Sequence, residues 1–288
     1  MERRRFLARA ATVAAAPALL ASTPPAPGAL IDTNVSLGEW PTRRSWAGTP
    51  AQLASRLRQH GVTAAWAGTF DAVLHTDVAG INAQLSAACA REGDGRFFLP
   101  FGTINPLLPD WEDDLRRCHE VLHLPGLRLY PNYHGYSLDD RRFATLLAGA
   151  ARRGLFVQIS LSMEDDRSQN PVFTASPVNA APLLDLLPKV PGARVMLLNC
   201  SSRVLGPGNP LLAKLAKAGV WFETATLEGV AGISSLLDKL PDLRLAFGSH
   251  APYYYFEAAL LKLQESPLTP AQLAAVRHGH ARAALASA

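Results

Sequence analysis

Cysteine is scarce in this chain, with 3 in 288 residues. Cys89, Cys118 and Cys200 cannot all pair within one chain, and without a Cys-X-X-Cys element they suggest neither a zinc knuckle nor a redox dithiol. Cys89 and Cys118 fall in helical patterns and read as small buried residues; a disulfide between them would require a geometry that sequence does not give. Charge is thin as well, at 18% of residues. Arg3, Arg4, Arg5 and Arg9 against Glu2 supply +3 of the net +4, so almost no excess charge is left for the rest of the chain. No basic stripe follows that could track a phosphate backbone, and nucleic acid is not an expected partner. Ala10 to Leu20 is apolar but too short to span a bilayer as a stable helix. A Gly-rich phosphate turn is also missing after the first strand-like run, where Leu37-Gly38-Glu39-Trp40-Pro41 stands instead, which weakens a dinucleotide-binding reading.

What remains is 48% hydrophobic, enough for one large domain with a sizeable core. Residues 1–28 read as a leader. Arg3-Arg4-Arg5-Phe6-Leu7-Ala8 is similar to a twin-arginine export signal, followed by the Ala-rich stretch and a Pro-rich segment, Ser22 to Gly28, that keeps the cleavage region extended. The expectation is export by the twin-arginine route to the periplasm or another extracytoplasmic space. Leu19-Leu20-Ala21-Ser22 is followed by Thr23, not the cysteine that lipidation requires, so no membrane anchor is expected.

From residue 29 to 288 the pattern is one of alternation. Apolar runs at about 30–35, 63–68, 97–103, 126–130, 155–161, 194–199, 219–224 and 243–248 predict eight strands. Stretches with apolar residues at three- and four-residue spacing lie between them, such as Leu53 with Leu57, or Phe143, Leu146, Leu147 and Ala150. Gly61, Gly126, Gly154, Gly219 and Pro241 stand just before strands, where helices should end. Eight strand–helix units in this length predict a single (β/α)8 TIM barrel, whose chemistry would sit at the C-terminal ends of the strands.

Strand alternation then assigns inward side chains. Asp32, Asn34 and Ser36 share a face of the first strand, Arg128 and Tyr130 a face of the fourth, and Gln158 and Ser160 a face of the fifth. The sixth ends at Asn199-Cys200, the seventh contains Glu223, and the eighth ends at Gly248-Ser249-His250.

Several of these segments together resemble the amidohydrolase-related family of the amidohydrolase superfamily. Leu30-Ile31-Asp32-Thr33-Asn34-Val35-Ser36 is similar to its first strand, Gly126-Leu127-Arg128-Leu129-Tyr130-Pro131 to its fourth, and Leu245-Ala246-Phe247-Gly248-Ser249-His250-Ala251-Pro252 to its eighth. Val276 to Leu285 resembles its closing helix, with His280 where Asn is common. The resemblance implies a metal-dependent-hydrolase-like barrel. It also implies a metal site built from a His-X-His pair, histidines on the fifth and sixth strands and an Asp on the eighth. Here those positions are Asn34, Ser36, Gln158 or Ser160, Asn199 and His250, and only the last is a ready ligand. No metal-ligating residue and no cofactor is therefore expected, with room left only for a weakly held divalent ion.

The residues then suggest roles. His250 or Glu164 would activate water as general base. Asn34, Ser36, Arg128, Tyr130, His134, Gln158, Arg167 and Asn199 would bind substrate, with Arg128 either gripping a carboxylate through its planar fork or pairing with Asp32. Cys200 would be a nucleophile only if His250 lay within hydrogen-bond reach. The functional expectation is an exported hydrolase acting on a small carbonyl substrate, an amide or lactone. The alternative is a non-catalytic relative that binds a small ligand in the same mouth. A small molecule is the expected partner, and self-association is left open.

Overall fold

The strands are buried on both faces, as a parallel sheet wrapped in helices requires. All eight residues of β1 (Leu30–Leu37) are buried even though four of them are polar. The computed structural model describes residues 29–92, 95–165, 167–201, 204, 206 and 208–286. The leader read at residues 1–28 lies outside the described residues. Seven further strands follow: β2 (Val62–Thr69), β3 (Phe98–Gly102), β4 (Gly126–Leu129), β5 (Phe156–Ser160), β6 (Val195–Leu198), β7 (Trp221–Glu223) and β8 (Arg244–Ala246). They pair in parallel in chain order from β1 to β8. Between β8 and β1 the ring is closed by individual hydrogen bonds, Thr33 N to Phe247 O (2.9 Å), His250 N to Asn34 O (2.8 Å) and Ser36 N to Ala251 O (2.8 Å). The (β/α)8 barrel expected from sequence is the fold observed, and each strand lies within two residues of its expected bounds.

A helix follows each strand, and the sequence supplies its start signals. Thr49, Asp77, Asp140 and Asn209 each accept a backbone N–H in the first turn of Pro50–Gln59, Val78–Ala90, Arg141–Arg152 and Pro210–Lys217, the N-cap role short polar side chains perform best. After β5 the apolar pattern yields only the short turn Leu183–Leu186, because Pro188 cannot continue an α-helix.

Three apolar layers result. The largest lies between strands and helices and includes Leu127, Leu129, Val157 and Ile159. A second fills the lower barrel, where Trp66 stacks on Phe101 at 4.9 Å and Phe156 meets Trp221 edge-on. A third stoppers the mouth: Trp40, Phe70, Tyr130, Met163 and Tyr253, with Tyr133 and Phe173 packed against them. Beyond β8, a π turn at Ala275–Gly279 places Val276 O to accept Phe247 N (2.9 Å), and His280 Nδ1 lies 2.8 Å from Leu245 O. The last helix thus braces the closing seam.

Candidate active site

Between the lower apolar layer and the aromatic stopper lies a polar stratum made from strand ends. Arg128 is its largest member and is 1% exposed. Its guanidinium donates to Gln158 Oε1 (2.9 Å), Val35 O (2.6 Å), Trp66 O (3.0 Å) and Thr33 O (3.3 Å). Gln158 is fixed in turn, its amide donating to Thr33 O at 2.7 Å. Gly68 makes the space: a Cβ there would sit 2.8 Å from Arg128 Cδ and 2.9 Å from the Tyr130 hydroxyl.

This changes the reading of three residues. Arg128 makes no ion pair with Asp32, and its fork is spent on backbone carbonyls of β1 and β2, so it ties strands together and is not placed to grip a substrate. Gln158 serves the same network. Tyr130 is buried, with its hydroxyl 3.4 Å from Thr69 O, and belongs to the stopper.

Asp32 instead accepts from Ser249, through the hydroxyl at 2.5 Å and the backbone N–H at 3.1 Å, and from Asn34 N at 3.0 Å. Burial pushes its carboxyl up to about 7, against the pull of those three hydrogen bonds. Glu223 is equally buried, and desolvation raises its pKa too, opposed by N–H donors from Ala225 and Asn199 and by the charge of Lys262. Gly248 is obligatory beside it, since a Cβ there would lie 2.3 Å from Glu223 Oε2.

Asn34 and Asn199 meet across the barrel, Asn34 Nδ2 donating to Asn199 Oδ1 at 2.8 Å, while Asn199 Nδ2 reaches Ser160 Oγ at 3.3 Å. Asn199 (φ 52°) and His250 (φ 57°) both hold left-handed backbone at strand ends. Such conformations are uncommon for residues other than glycine, persist only where surrounding contacts enforce them and concentrate at functional sites. His250 is 1% exposed. Its Nε2 lies 3.0 Å from Met163 O, and its Nδ1 has no partner among the described residues. A carbonyl only accepts, so Nε2 carries the proton and Nδ1 is left with a free lone pair. Burial pulls the imidazole pKa down to about 4, reinforced by the charge of Arg128, so it is neutral near pH 7.

A cavity of about 400 Å³ opens beside this stratum, among the loops after β5, β6 and β7 and the last barrel helix. Met163, Glu164, Asn199, Ser201, Thr226 and Lys262 help to line it. The charged run after β5 divides at this point. Glu164 is 4% exposed, with Oε1 accepting from the Tyr253 hydroxyl (2.8 Å) and Oε2 unpartnered among the described residues. Asp165 and Arg167 turn outward and pair with each other at 2.5 Å. Arg167 also lines the rim of the cavity, but its fork is already engaged by that carboxylate.

Asn34, Ser36 and His250 lie below the stopper and do not line the cavity; the Ser36 hydroxyl is buried without a partner among the described residues. His134 reaches Ala72 O at 2.8 Å and packs in its loop. The cysteines are buried and unpaired. Burial pushes Cys89 and Cys118 up to about 12 and raises Cys200 as well, which removes Cys200 as a nucleophile.

Lys262 and Tyr253 escaped the sequence reading as site residues. Lys262 had one visible signal: it stands three residues after Ala259, on the inward side of a helix whose buried residues are Phe256, Ala259 and Leu263.

The amidohydrolase family model matches residues 49–285. The chain belongs to the amidohydrolase family. No curated protein matches it in sequence. Among solved structures, 5-carboxyvanillate decarboxylase from Sphingomonas paucimobilis superposes with a TM-score of 0.71 at 16% identity, covering 90% of this chain and 99% of that one. The same enzyme from Novosphingobium aromaticivorans, complexed with manganese and 4-hydroxy-3-methoxy-5-nitrobenzoic acid, gives 0.67 at 14%, covering 89% and 95%. A probable 2-pyrone-4,6-dicarboxylic acid hydrolase from Acinetobacter baumannii, with citric acid bound, gives 0.60 at 13%, covering 89% and 98%. At these identities the likeness speaks for the fold.

The manganese corrects one expectation. No cofactor was expected from the first strand, yet the Novosphingobium aromaticivorans decarboxylase structure and two others of the same fold contain bound manganese, which points to a divalent metal cofactor among proteins of this fold. Asn34 and Asn199 are bonded to each other, Ser160 Oγ donates to Ser162 O (3.1 Å), and His250 Nε2 is engaged by Met163 O. Among the described residues no group of three or more His, Cys, Asp or Glu side chains could hold a metal ion. This arrangement does not fit a three-ligand transition-metal centre.

Proposed function

We propose that this amidohydrolase hydrolyses a small carbonyl compound, an amide or a lactone, in the cavity beyond β5, β6 and β7. The observation that carries the reading is Glu164: a buried carboxylate lining that cavity, one oxygen steadied by the Tyr253 hydroxyl and the other unpartnered. A base needs a free oxygen in a fixed place. Glu164 would take a proton from water as the water oxygen attacks the carbonyl carbon, and would return it to the departing oxygen or nitrogen. Asn199, on the same wall, would orient the substrate. His250 would act through Met163, its N–H holding the carbonyl next to Glu164, as a positioning residue. The likeness in fold to a structure named as a hydrolase of a pyrone, a cyclic ester, supports the lactone arm of the reading.

The test is a turnover screen of small lactones and amides, followed by Glu164→Gln on any substrate found. The variant keeps shape and hydrogen bonding to Tyr253 but loses the base, so kcat should fall by about 10²–10⁴ with KM little changed. Undiminished kcat in Glu164→Gln would overturn the assignment. Ligands that bind the wild-type protein without turnover would favour a binding relative that uses the same cavity.

We also propose that the leader exports the domain by the twin-arginine route. The support is Arg3-Arg4-Arg5-Phe6-Leu7-Ala8, and secretion of a paired-lysine variant is the test. No helix among the described residues is long and apolar enough to cross a membrane.

A further inference from the structure

Lys262 is half-buried on the helix Phe256–Glu265, which packs outside the barrel, yet its ammonium reaches inward to the end of β7. Nζ donates to Thr224 O (3.0 Å) and Ala225 O (2.5 Å). An ammonium has three N–H groups, and the third has no acceptor among the described residues. Lys262 also lines the cavity that contains Glu164 and Asn199. Two carbonyls therefore fix the nitrogen, and its remaining donor is available to whatever the cavity holds. Burial lowers its pKa, while Glu223, Glu228 and Glu265 act to keep the proton on. A partly desolvated ammonium held in place is a strong stabiliser of negative charge that develops nearby.

We infer that Lys262 is a further catalytic residue, holding the oxyanion formed when water adds to the substrate carbonyl; this rests on the hydrolase reading. In the step, the water oxygen bonds to carbon while its proton passes to Glu164, and the carbonyl π pair moves onto oxygen. The new oxyanion accepts the free N–H of Lys262. When the pair returns, the bond to the leaving oxygen or nitrogen breaks, and that atom takes the proton back from Glu164. The products are a carboxylic acid and an alcohol or amine. The catalytic groups would thus come from two places, the loop after β5 and the helix after β8.

The experiment compares Lys262→Met and Lys262→Arg with the wild-type full-length protein. Binding is measured by ligand-observed NMR for two probes, methylphosphonate as a stable tetrahedral anion and γ-butyrolactone as a neutral ground state. Turnover is measured on whatever substrate the screen yields. Lys262→Met should lower kcat by about 10²–10³ with KM within threefold. It should weaken methylphosphonate at least tenfold and leave γ-butyrolactone unchanged. Lys262→Arg, which keeps the charge and can still reach both carbonyls, should recover much of the anion binding.

A purely structural role predicts a different result: both probes weaken together, with lowered thermal stability. That result, or wild-type kcat in Lys262→Met, would overturn the inference. The two readings fail separately. If nothing is turned over but the anion is still selected through Lys262, the hydrolase reading falls and the anion-holding role stands. If hydrolysis proceeds unchanged in Lys262→Met, the reverse holds.

Discussion

Replacing Arg128 by lysine separates a structural role from a substrate-binding one. The guanidinium serves four acceptors on three strands: Gln158 Oε1 on β5, the carbonyls of Thr33 and Val35 on β1, and that of Trp66 on β2. A lysine keeps the charge but has its donors on a single nitrogen, which cannot span those positions at once. At least two charge-assisted bonds should be lost, at about 1.5–3 kcal/mol each, with buried carbonyls left unpaired. The expected loss is on the order of 3–6 kcal/mol, a large share of the roughly 5–15 kcal/mol that holds a typical domain folded. Urea unfolding followed by tryptophan fluorescence at pH 7 measures it. Stability within about 1 kcal/mol of the parent, together with selectively weakened binding of carboxylate ligands, would refute the argument and return Arg128 to the substrate.

Buried groups give the protein two opposing pH dependences. Asp32 is raised to about 7 in the fold against roughly 3.9 when unfolded, so its contribution to stability is complete below about pH 4 and is lost as pH rises to about 7. His250 is lowered to about 4 against roughly 6.5 unfolded, so its contribution is complete above about pH 6.5 and is lost as pH falls towards 4. Relative to the parent, Asp32→Asn should therefore tilt stability upward with pH between about 4.5 and 6.5, and His250→Asn should tilt it downward; variant urea profiles that depart from the parent in the same direction would contradict both assignments. For export, Arg3→Lys with Arg4→Lys should abolish secretion of a normally folded protein, because the twin-arginine machinery reads the guanidinium pair, and normal secretion of that variant would end the proposal.

The barrel was legible because its information is local. Runs such as Phe156–Ser160 are apolar on the face that meets the helices, and Gly61, Gly154 and Gly219, which end helices, stand one or two residues before strands. Inward faces were legible too, since alternation alone puts Arg128 and Gln158 on one side and Leu127 and Leu129 on the other. What alternation cannot say is what an inward side chain meets. Arg128 was read as a ligand for a carboxylate or for Asp32, but backbone carbonyls from strands distant in sequence satisfy it. Glu164 was read as a base and Arg167 as a substrate-binding residue, and the fold buries the first and exposes the second. Lys262 was missed because its helix carries no strand-end motif, and a lysine beside an apolar stripe usually extends to solvent.

The seam between β8 and β1 has a consequence for the order in which the molecule can be made. Thr33 bonds to Phe247, Asn34 to His250, and Phe247 in turn to Val276, so the first strand finds its second neighbour only in the last fifth of the polypeptide. Joining segments more than 200 residues apart carries a loop-closure cost that no local contact offsets beforehand. During synthesis β1 must wait with one edge open until β8 and the bracing helix leave the ribosome. Unpaired edges of that kind invite mispairing. A leader that delays transport until the barrel has closed would keep that edge inside the compartment where the ring is completed.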